Sequence, residues 1–336
     1  MTSTCSNPDC NVSKDGICVE GFKPASKCHQ FGSDSSNEDD FVDVGVNSVP
    51  ENTPLVEPVD VELFGGEALN AGCANELLKQ FPTKIIVFSG PSNVGKTTLF
   101  ASLYEQLQYD TLAGLAFGGS RTLYAFERLC HTARLTSNLP DPTTPHTTRS
   151  EGARFYHLAL QKMDERKRID LLFTDRAGED YDDAVKSSRN CRALYEVKRA
   201  DTVLFLVDAA QLGDVRCRHA AREKVLNLLK SFQRENFIRE ASDVAVVLTR
   251  CDLLKESARK EMAENDLEII REKANELFDS ARATLFHVAA QPRDNAYGDK
   301  GLSELLLFLA EPVKTIEYSA TIPLGKRSFH RVRETV

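Results

Sequence analysis

Apolar residues in this chain gather in short continuous runs, separated by longer stretches of mixed apolar and polar residues. The short runs predict buried strands, near residues 84–89, 154–161, 169–174, 202–208, 243–249 and 284–289. The longer stretches predict helices, near residues 97–108, 122–135, 215–237, 255–282 and 301–310, with a short helix over 66–80. Strands that alternate with helices predict an α/β fold whose mostly parallel sheet is covered on both faces. Ligands of such sheets bind at the carboxyl ends of the strands.

The first predicted strand leads into the sequence GPSNVGKT, from Gly90 to Thr97. It matches the phosphate-binding loop G-x-x-x-x-G-K-S/T in its required place between strand and helix, which indicates the three-layer sandwich of P-loop NTPases. We expect Lys96 to reach the β- and γ-phosphates and the Thr97 hydroxyl to hold Mg²⁺. Loop N–H groups and the helix N-terminus add to the site. The expected phosphate-site residues are Gly90, Ser92, Asn93, Val94, Gly95, Lys96, Thr97 and Thr98. The alternative is a glycine-rich turn that only resembles the loop.

The predicted strand near residues 169–174 ends in the sequence DRAG, from Asp175 to Gly178. An aspartate at the carboxyl end of a strand can hold Mg²⁺, often through water. The Gly178 amide would then meet an oxygen of a γ-phosphate. The alternative is an ordinary turn after a strand.

The predicted strand near residues 243–249 ends in Thr249, Arg250, Cys251 and Asp252. This sequence resembles the Asn/Thr-Lys-x-Asp motif of small GTP-binding proteins. A carboxylate at Asp252 can accept from both N1–H and the 2-amino group of guanine, a pairing that adenine cannot match. Arg250 stands where that family usually has lysine, and a guanidinium can also stack on a base. The next strand ends in Ala289 and Ala290, which would complete the base pocket. The alternative is that these residues form only a solvated charged turn, in which case the nucleotide can be ATP.

Taken in order, these motifs resemble the translation-factor-related class of P-loop GTPases, and within it the bacterial double-GTPase proteins. The closer resemblance rests also on the segments GGEAL at 65–69 and FGGSRTL at 117–123, on DRAGE at 175–179, and on a cysteine-rich amino terminus. It implies GTP or GDP as ligand, Mg²⁺ as cofactor, and a GTP-hydrolysing switch in a bacterial signalling or conflict system. A companion GTPase or an effector is the protein partner that the resemblance implies.

A long polar segment before the predicted strand near residues 154–161 contains four threonines that can serve as the switch residue, whose hydroxyl binds Mg²⁺ only while the γ-phosphate is present. Thr148 is our first choice and Thr147 the second, with Thr143 and Thr144 remaining open. A merely flexible loop is the alternative.

Hydrolysis in this class depends on positioning and electrostatics. Glu179 follows the DRAG turn, where a water-orienting residue is commonly found, so we expect Lys96, Glu179 and Thr148 to be the catalytic residues. A carboxylate beside an anionic γ-phosphate needs a nearby cation. Arg149, Arg176 or a partner's arginine finger can supply that cation; a solvated acidic surface is the alternative reading of Glu179.

Composition narrows the choice of partners. The formal net charge is −8 over 336 residues, which argues against a general nucleic-acid binder. No apolar run approaches the ~18 residues of a membrane span, and the start of the chain has no secretory signal, so a cytoplasmic location is expected. A nucleotide-binding scaffold with little turnover and an ATP-using P-loop enzyme remain as alternative functions.

The cysteines divide into two groups. Four of the nine lie in the first 28 residues with the spacing C-x4-C-x7-C-x9-C, namely Cys5, Cys10, Cys18 and Cys28. So short a segment cannot build a core without a staple, and four thiolates around Zn²⁺ would supply one. His29 can replace Cys28; a disordered tail or two disulfides are the alternatives. The expected domains are a cysteine module (1–30), an acidic linker (31–60), a GTPase-like domain (61–318) and a basic tail (319–336).

Overall fold

In a computed structural model, the described residues are 12, 18, 23–28, 31, 65–133, 147, 149, 152–254, 257–278, 282–290 and 301–313. Contacts divide the chain into two compact units, Met1–Val61 and Glu62–Val336. In the described part of the first unit, Ala25–Lys27 form one 3₁₀ turn, and Cys18 and Cys28 are buried.

The second unit is built on a seven-stranded sheet with the order β2-β3-β4-β1-β5-β6-β7. The strands are β1 (Thr83–Ser89), β2 (Leu115–Gly119), β3 (Arg154–Lys162), β4 (Lys167–Asp175), β5 (Thr202–Asp208), β6 (Asp243–Thr249) and β7 (Thr284–His287). The pairs β2–β3 and β3–β4 are antiparallel, and the other four pairs are parallel. The carboxyl ends of β4, β1, β5, β6 and β7 therefore meet at one edge of the sheet.

Ten α-helices are described around this sheet. They are α1 (Ala71–Gln80), α2 (Lys96–Tyr109), α3 (Leu123–Ala133), α4 (Gly178–Lys186), α5 (Ser188–Arg192), α6 (Tyr195–Arg199), α7 (Ala209–Leu212), α8 (Arg218–Arg234), α9 (Ser257–Leu277) and α10 (Leu302–Ala310). A 3₁₀ turn, Cys251–Leu253, follows β6.

The α/β fold and its mostly parallel sheet are confirmed. All six predicted strands are present, while β2 was not predicted because its sequence LAFGG is short and ends in two glycines, which weaken a strand signal. The short helices α4 to α7 were also missed, since helices of four to nine residues carry little periodicity.

The two faces of the sheet carry separate apolar cores, because successive strand residues point to opposite faces. On β1, Ile86 and Phe88 pack in one core with residues of α2, α3 and α10. Val87 packs in the other core, which α4 to α9 cover. Both cores contain side chains that are fully excluded from solvent. Strand β1 is therefore packed on both faces, which fixes the position of its carboxyl end.

A buried polar pair lies away from the edge of the sheet where the carboxyl ends of the parallel strands meet. His157 on β3 is 1% exposed, and its Nε2 lies 2.9 Å from Asp170 Oδ1 on β4. The backbone N–H of Arg121 donates to His157 Nδ1 at 3.0 Å, which ties the segment after β2 to β3. Because Nδ1 accepts this bond, the imidazole is neutral, with its proton on Nε2. Burial lowers the pKa of His157, in keeping with the neutral form.

Among the described residues, no helix combines the length and apolar character that a membrane crossing needs.

Candidate nucleotide-binding site

The phosphate-binding loop joins β1 to α2, and its backbone takes the conformation that its glycines allow. Gly95 has φ 92° and forms the N-cap of α2, a left-handed position that glycine adopts without strain. Asn93 is also left-handed, with φ 64°, a conformation that asparagine tolerates better than most residues. The first backbone N–H groups of α2 therefore point towards the loop, and the positive end of the helix dipole lies beside the loop.

Lys96 lies inside this loop. Its ammonium donates to the carbonyl oxygens of Gly90 and Pro91, each at 3.0 Å, and lies 5.6 Å from the centre of the Tyr181 ring. Burial lowers the pKa of Lys96 to about 8, while the charge of Asp175 opposes the shift. An anion in the loop would favour the charged form of this lysine, so the site is electrostatically prepared for phosphate.

Three oxygen-bearing side chains from distant segments meet beside the loop. Thr97 Oγ1 donates to Asp175 Oδ1 at 3.0 Å, and Thr147 Oγ1 donates to Asp175 Oδ2 at 2.6 Å. The two threonine hydroxyls are 3.4 Å apart. Thr147, the second choice for the switch residue, thus lies in this cluster, whereas Thr148, Thr143 and Thr144 lie outside the described residues.

The DRAG turn packs directly on the phosphate loop. Gly178 is buried and begins α4. A Cβ at this position would lie 2.2 Å from the Ser92 backbone nitrogen and 2.5 Å from the Pro91 carbonyl carbon, so only glycine permits the contact. Glu179, the next residue, is exposed; its own backbone N–H, followed by the Ser92 hydroxyl, lowers the pKa of its carboxyl group.

Both arginines predicted as possible cations beside Glu179, Arg149 and Arg176, are bound to carboxylates. The Arg176 side chain is buried, with Nε 2.7 Å from Glu196 Oε1 and Nη1 3.1 Å from Asp180 Oδ2. Arg149 Nη1 lies 3.1 Å from Asp183 Oδ2, at a more exposed position. The Arg176–Glu196 pair fixes the turn between Asp175 and Gly178. Glu196 was not predicted, because α6 carries no sequence motif that indicates it.

Thr249 attaches the predicted base-recognition segment to the phosphate loop. Its hydroxyl donates to the Val94 carbonyl at 2.7 Å and lies 3.2 Å from the Val207 carbonyl oxygen. This threonine, expected at the nucleotide, therefore also supports the backbone of the loop. Arg250 follows with a left-handed backbone (φ 55°), and its Nη1 donates to Asp208 Oδ2 at 2.9 Å.

Asp252 and the pair Ala289 and Ala290 come together in the fold. The Cys251 backbone N–H donates to the Val288 carbonyl at 3.3 Å, which brings the turn that contains Asp252 beside the end of β7. Asp252 is 6% exposed, and Ala289 is buried. The residues predicted for phosphate and base thus lie along one edge of the sheet, from β4 to β7.

A cleft of about 370 Å³ opens next to the phosphate loop, between α4 and α8. Its lining residues include Pro91, Tyr181, Val185, Lys224 and Leu228.

The predicted zinc ligands are only partly described. Cys18 and Cys28 are buried, whereas Cys5, Cys10 and the alternative ligand His29 lie outside the described residues. Within the part of the chain that is described, no three His, Cys, Asp or Glu side chains form a metal-binding group.

The sequence model of the family Double-GTPase 2 matches residues 84–310, about two thirds of the chain. The match runs from the second residue of β1 to the end of α10 and thus covers the whole of the site described above. No curated protein matches the chain.

Several solved structures are distantly similar to the chain. A variant of SsGBP is 14% identical with a TM-score of 0.36; the match covers 71% of this chain and 60% of SsGBP. The signal recognition particle receptor SRb–GTP/SRX complex from Chaetomium thermophilum is 16% identical with a TM-score of 0.38, covering 66% and 97%. A dimerisation-deficient mutant of Toc33 from Arabidopsis thaliana is 10% identical with a TM-score of 0.40, covering 70% and 86%. The chain spans less than two thirds of the SsGBP chain, and likenesses this distant say nothing of what it binds.

Proposed function

The chain belongs to the Double-GTPase 2 family, and from that premise we propose how its residues operate a GTP-dependent switch. As a member of this family it is a P-loop GTPase, which binds guanine nucleotide with Mg²⁺ and hydrolyses GTP. The proposal concerns which side chains read the γ-phosphate, which orient the attacking water, and what the switch controls.

The observation that carries the proposal is the meeting of Thr97, Thr147 and Asp175. Asp175 accepts a hydrogen bond from each threonine, at 3.0 Å from Thr97 and 2.6 Å from Thr147. The three residues come from the start of α2, the segment before β3 and the end of β4. A ligand that binds this cluster therefore links three segments of the chain. Two of them, the start of α2 and the end of β4, lie beside the phosphate loop.

The cluster suits Mg²⁺, because hydroxyl and carboxylate oxygens are the ligands that this ion prefers. Thr97, Thr147 and Asp175 would hold the ion, Asp175 directly or through water. When bound, the ion neutralises negative charge on the β- and γ-phosphate oxygens. Thr147 is preferred to Thr148 as the switch residue because of its contact with Asp175.

Loss of the γ-phosphate would release Thr147 and Gly178 from the nucleotide. Lys96 would exchange its present bonds to the Gly90 and Pro91 carbonyls for phosphate oxygens. The Gly178 amide, at the start of α4, would donate to the γ-phosphate. Hydrolysis would thus free both the segment around Thr147 and helix α4. In switches of this kind, contacts with the γ-phosphate order such segments, and hydrolysis releases them.

Glu179 is proposed to accept a hydrogen bond from the attacking water. Its lowered pKa keeps the carboxylate ionised at neutral pH. Arg149 and Arg176 are bound to Asp183 and Glu196, so we propose that a partner supplies the arginine that offsets charge at the γ-phosphate. Intrinsic hydrolysis would then be slow, and the companion GTPase of a bacterial signalling or conflict system is the proposed partner.

The first experiment compares Mg²⁺-dependent binding of GDP, GTP and ATP, with phosphate release, for wild type and Thr147→Val. Valine matches threonine in shape and lacks the hydroxyl. We expect guanine-selective binding by wild type, and in Thr147→Val a loss of the Mg²⁺-dependent advantage of GTP over GDP. Thr148→Val is the matched control and should leave that advantage in place.

Three results would contradict parts of this proposal. Equal effects of the two valine variants, or a larger effect at Thr148, would remove Thr147 from the switch. ATP binding as tight as GTP binding would indicate an ATP-using enzyme. Nucleotide binding without phosphate release, even with a companion GTPase present, would indicate a scaffold.

We propose zinc for the amino-terminal segment, held by Cys5, Cys10, Cys18 and Cys28. The support is the burial of Cys18 and Cys28 in so short a segment, since small segments require a staple. About one zinc per chain in the purified full-length protein, reduced in Cys18→Ser but kept in Cys73→Ser, is the expected result. Zinc-free wild-type protein with the same fold would refute it.

A further inference from the structure

Asp208 ends strand β5, and its two carboxylate oxygens have different partners. Oδ1 accepts from the Ala210 backbone N–H at 2.9 Å and caps the short helix α7. Oδ2 accepts from Arg250 Nη1 at 2.9 Å. Asp208 is 4% exposed, so one oxygen serves the local backbone and the other binds a side chain 42 residues further along.

Arg250 lies between the phosphate loop and the base-recognition turn. Asp208 pairs with Thr249 in the β5–β6 register, and the Thr249 hydroxyl reaches the Val94 carbonyl of the loop. After Arg250 the chain enters the turn that contains Asp252. The Arg250 side chain is 46% exposed, and its guanidinium is held by Asp208.

We infer that Asp208 is a positioning residue for the base: it holds the guanidinium of Arg250 so that the side chain forms a fixed wall of the guanine pocket. A free arginine has many rotamers and loses that freedom when a ligand packs on it, whereas a preorganised side chain has less to lose. Stacking on a guanidinium or its stem does not depend on the 2-amino group of the base. This inference rests on the proposed function, and on the prediction from sequence that Arg250 and Asp252 face the base of the bound guanine nucleotide.

The two aspartates therefore have separable effects. Asp252 would distinguish guanine from hypoxanthine, which lacks the 2-amino group, because its carboxylate reads that group. Asp208 would change affinity for both bases by the same factor, because it acts only through Arg250. Preorganisation lost on one side of the pocket should appear mainly as faster release of the nucleotide.

The test uses Asp208→Asn in the full-length protein, with release of GDP and of inosine diphosphate as the measurement. Asparagine keeps an oxygen that can cap α7 and removes the charge that holds Arg250. We expect both nucleotides to leave about two to five times faster, the range of a partly exposed ion pair, with the ratio of their release rates unchanged. Asp214→Asn is the matched control, since Asp214 also accepts a backbone N–H, from Arg216, and should have no effect.

A double-mutant cycle with Arg250→Ala decides whether Asp208 acts through that arginine. Asp208→Asn should have no further effect in the Arg250→Ala background. A full additional effect there, a changed GDP-to-inosine-diphosphate ratio, or wild-type release by Asp208→Asn would each overturn the inference and leave guanine binding by wild type intact. Wild-type protein that does not select guanine would overturn the proposed function, and the inference with it.

Discussion

Replacing Gly178 by alanine tests the contact between the DRAG turn and the phosphate loop. An alanine Cβ would lie 2.2 Å from Ser92 N and 2.4 Å from Ser92 Cα, against an ordinary contact of 3.4 Å or more. Helix α4 or the loop would therefore have to move by about 1 Å. Because both sides of the contact are backbone, no side-chain rotation relieves it, and overpacking of this kind costs about 1–3 kcal/mol.

Two measurements follow from this displacement. The melting temperature of Gly178→Ala should fall by about 3–10 °C, from the usual relation between free energy and melting temperature for a domain of this size. GTP hydrolysis should fall more steeply than GDP binding, because the proposed Gly178 contact exists only with the γ-phosphate. Gly65→Ala is the control, since a Cβ there meets nothing within 4 Å. Wild-type stability and hydrolysis in Gly178→Ala would refute the reasoning.

Two further predictions concern buried polar groups. Glu196→Gln removes the charge that faces the buried Arg176, and breaking a buried pair from one side should lower the free energy of unfolding by about 3–5 kcal/mol, measured by urea denaturation. For His157, a pKa lowered below 6.5 means that the unfolded chain takes up a proton before the folded one does. The stability that His157 contributes is therefore complete above pH 6.5 and is lost as the pH falls below it, by up to about 1.4 kcal/mol per pH unit. His157→Gln should remove that part of the slope.

Exposed residues provide the controls for both. Glu76→Gln breaks an exposed ion pair with Lys79 and should cost less than about 1 kcal/mol. His219→Gln changes an exposed histidine on α8 and should leave the slope below pH 6.5 unchanged. An effect of Glu196→Gln as small as that of Glu76→Gln would mean that the Arg176 pair is not a buried constraint. A slope that persists in His157→Gln would assign the acid sensitivity to other groups.

Features that depend on neighbouring residues could be predicted from the sequence. The phosphate loop is one continuous segment, and its conformation follows from Gly95 and the start of a helix directly after it. The strand ends that carry Asp175 and Asp252 were predicted because continuous apolar runs lead into them. The same signal, an aspartate at the end of an apolar strand, was available for Asp208 and went unused.

Contacts between distant residues were decided by the tertiary structure. Thr147 meets Asp175 across 28 residues, and Thr249 reaches Val94 across 155. No local pattern separates Thr147 from the neighbouring threonines, because any of them can satisfy the same spacing. The sheet selects the partner by bringing the ends of β4, β1, β5 and β6 to one edge.

The arginines show the same division. From their positions in the chain, Arg176 was predicted to lie beside the phosphate loop and Arg250 in the proposed base-recognition motif. Only the packing of α6 and the end of β5 determined that Glu196 and Asp208 hold them. Arg176, Glu196 and Asp208 are buried, and a buried charge needs a specific partner within hydrogen-bond distance. That partner is set by how helices and strands pack, which a linear sequence pattern does not contain.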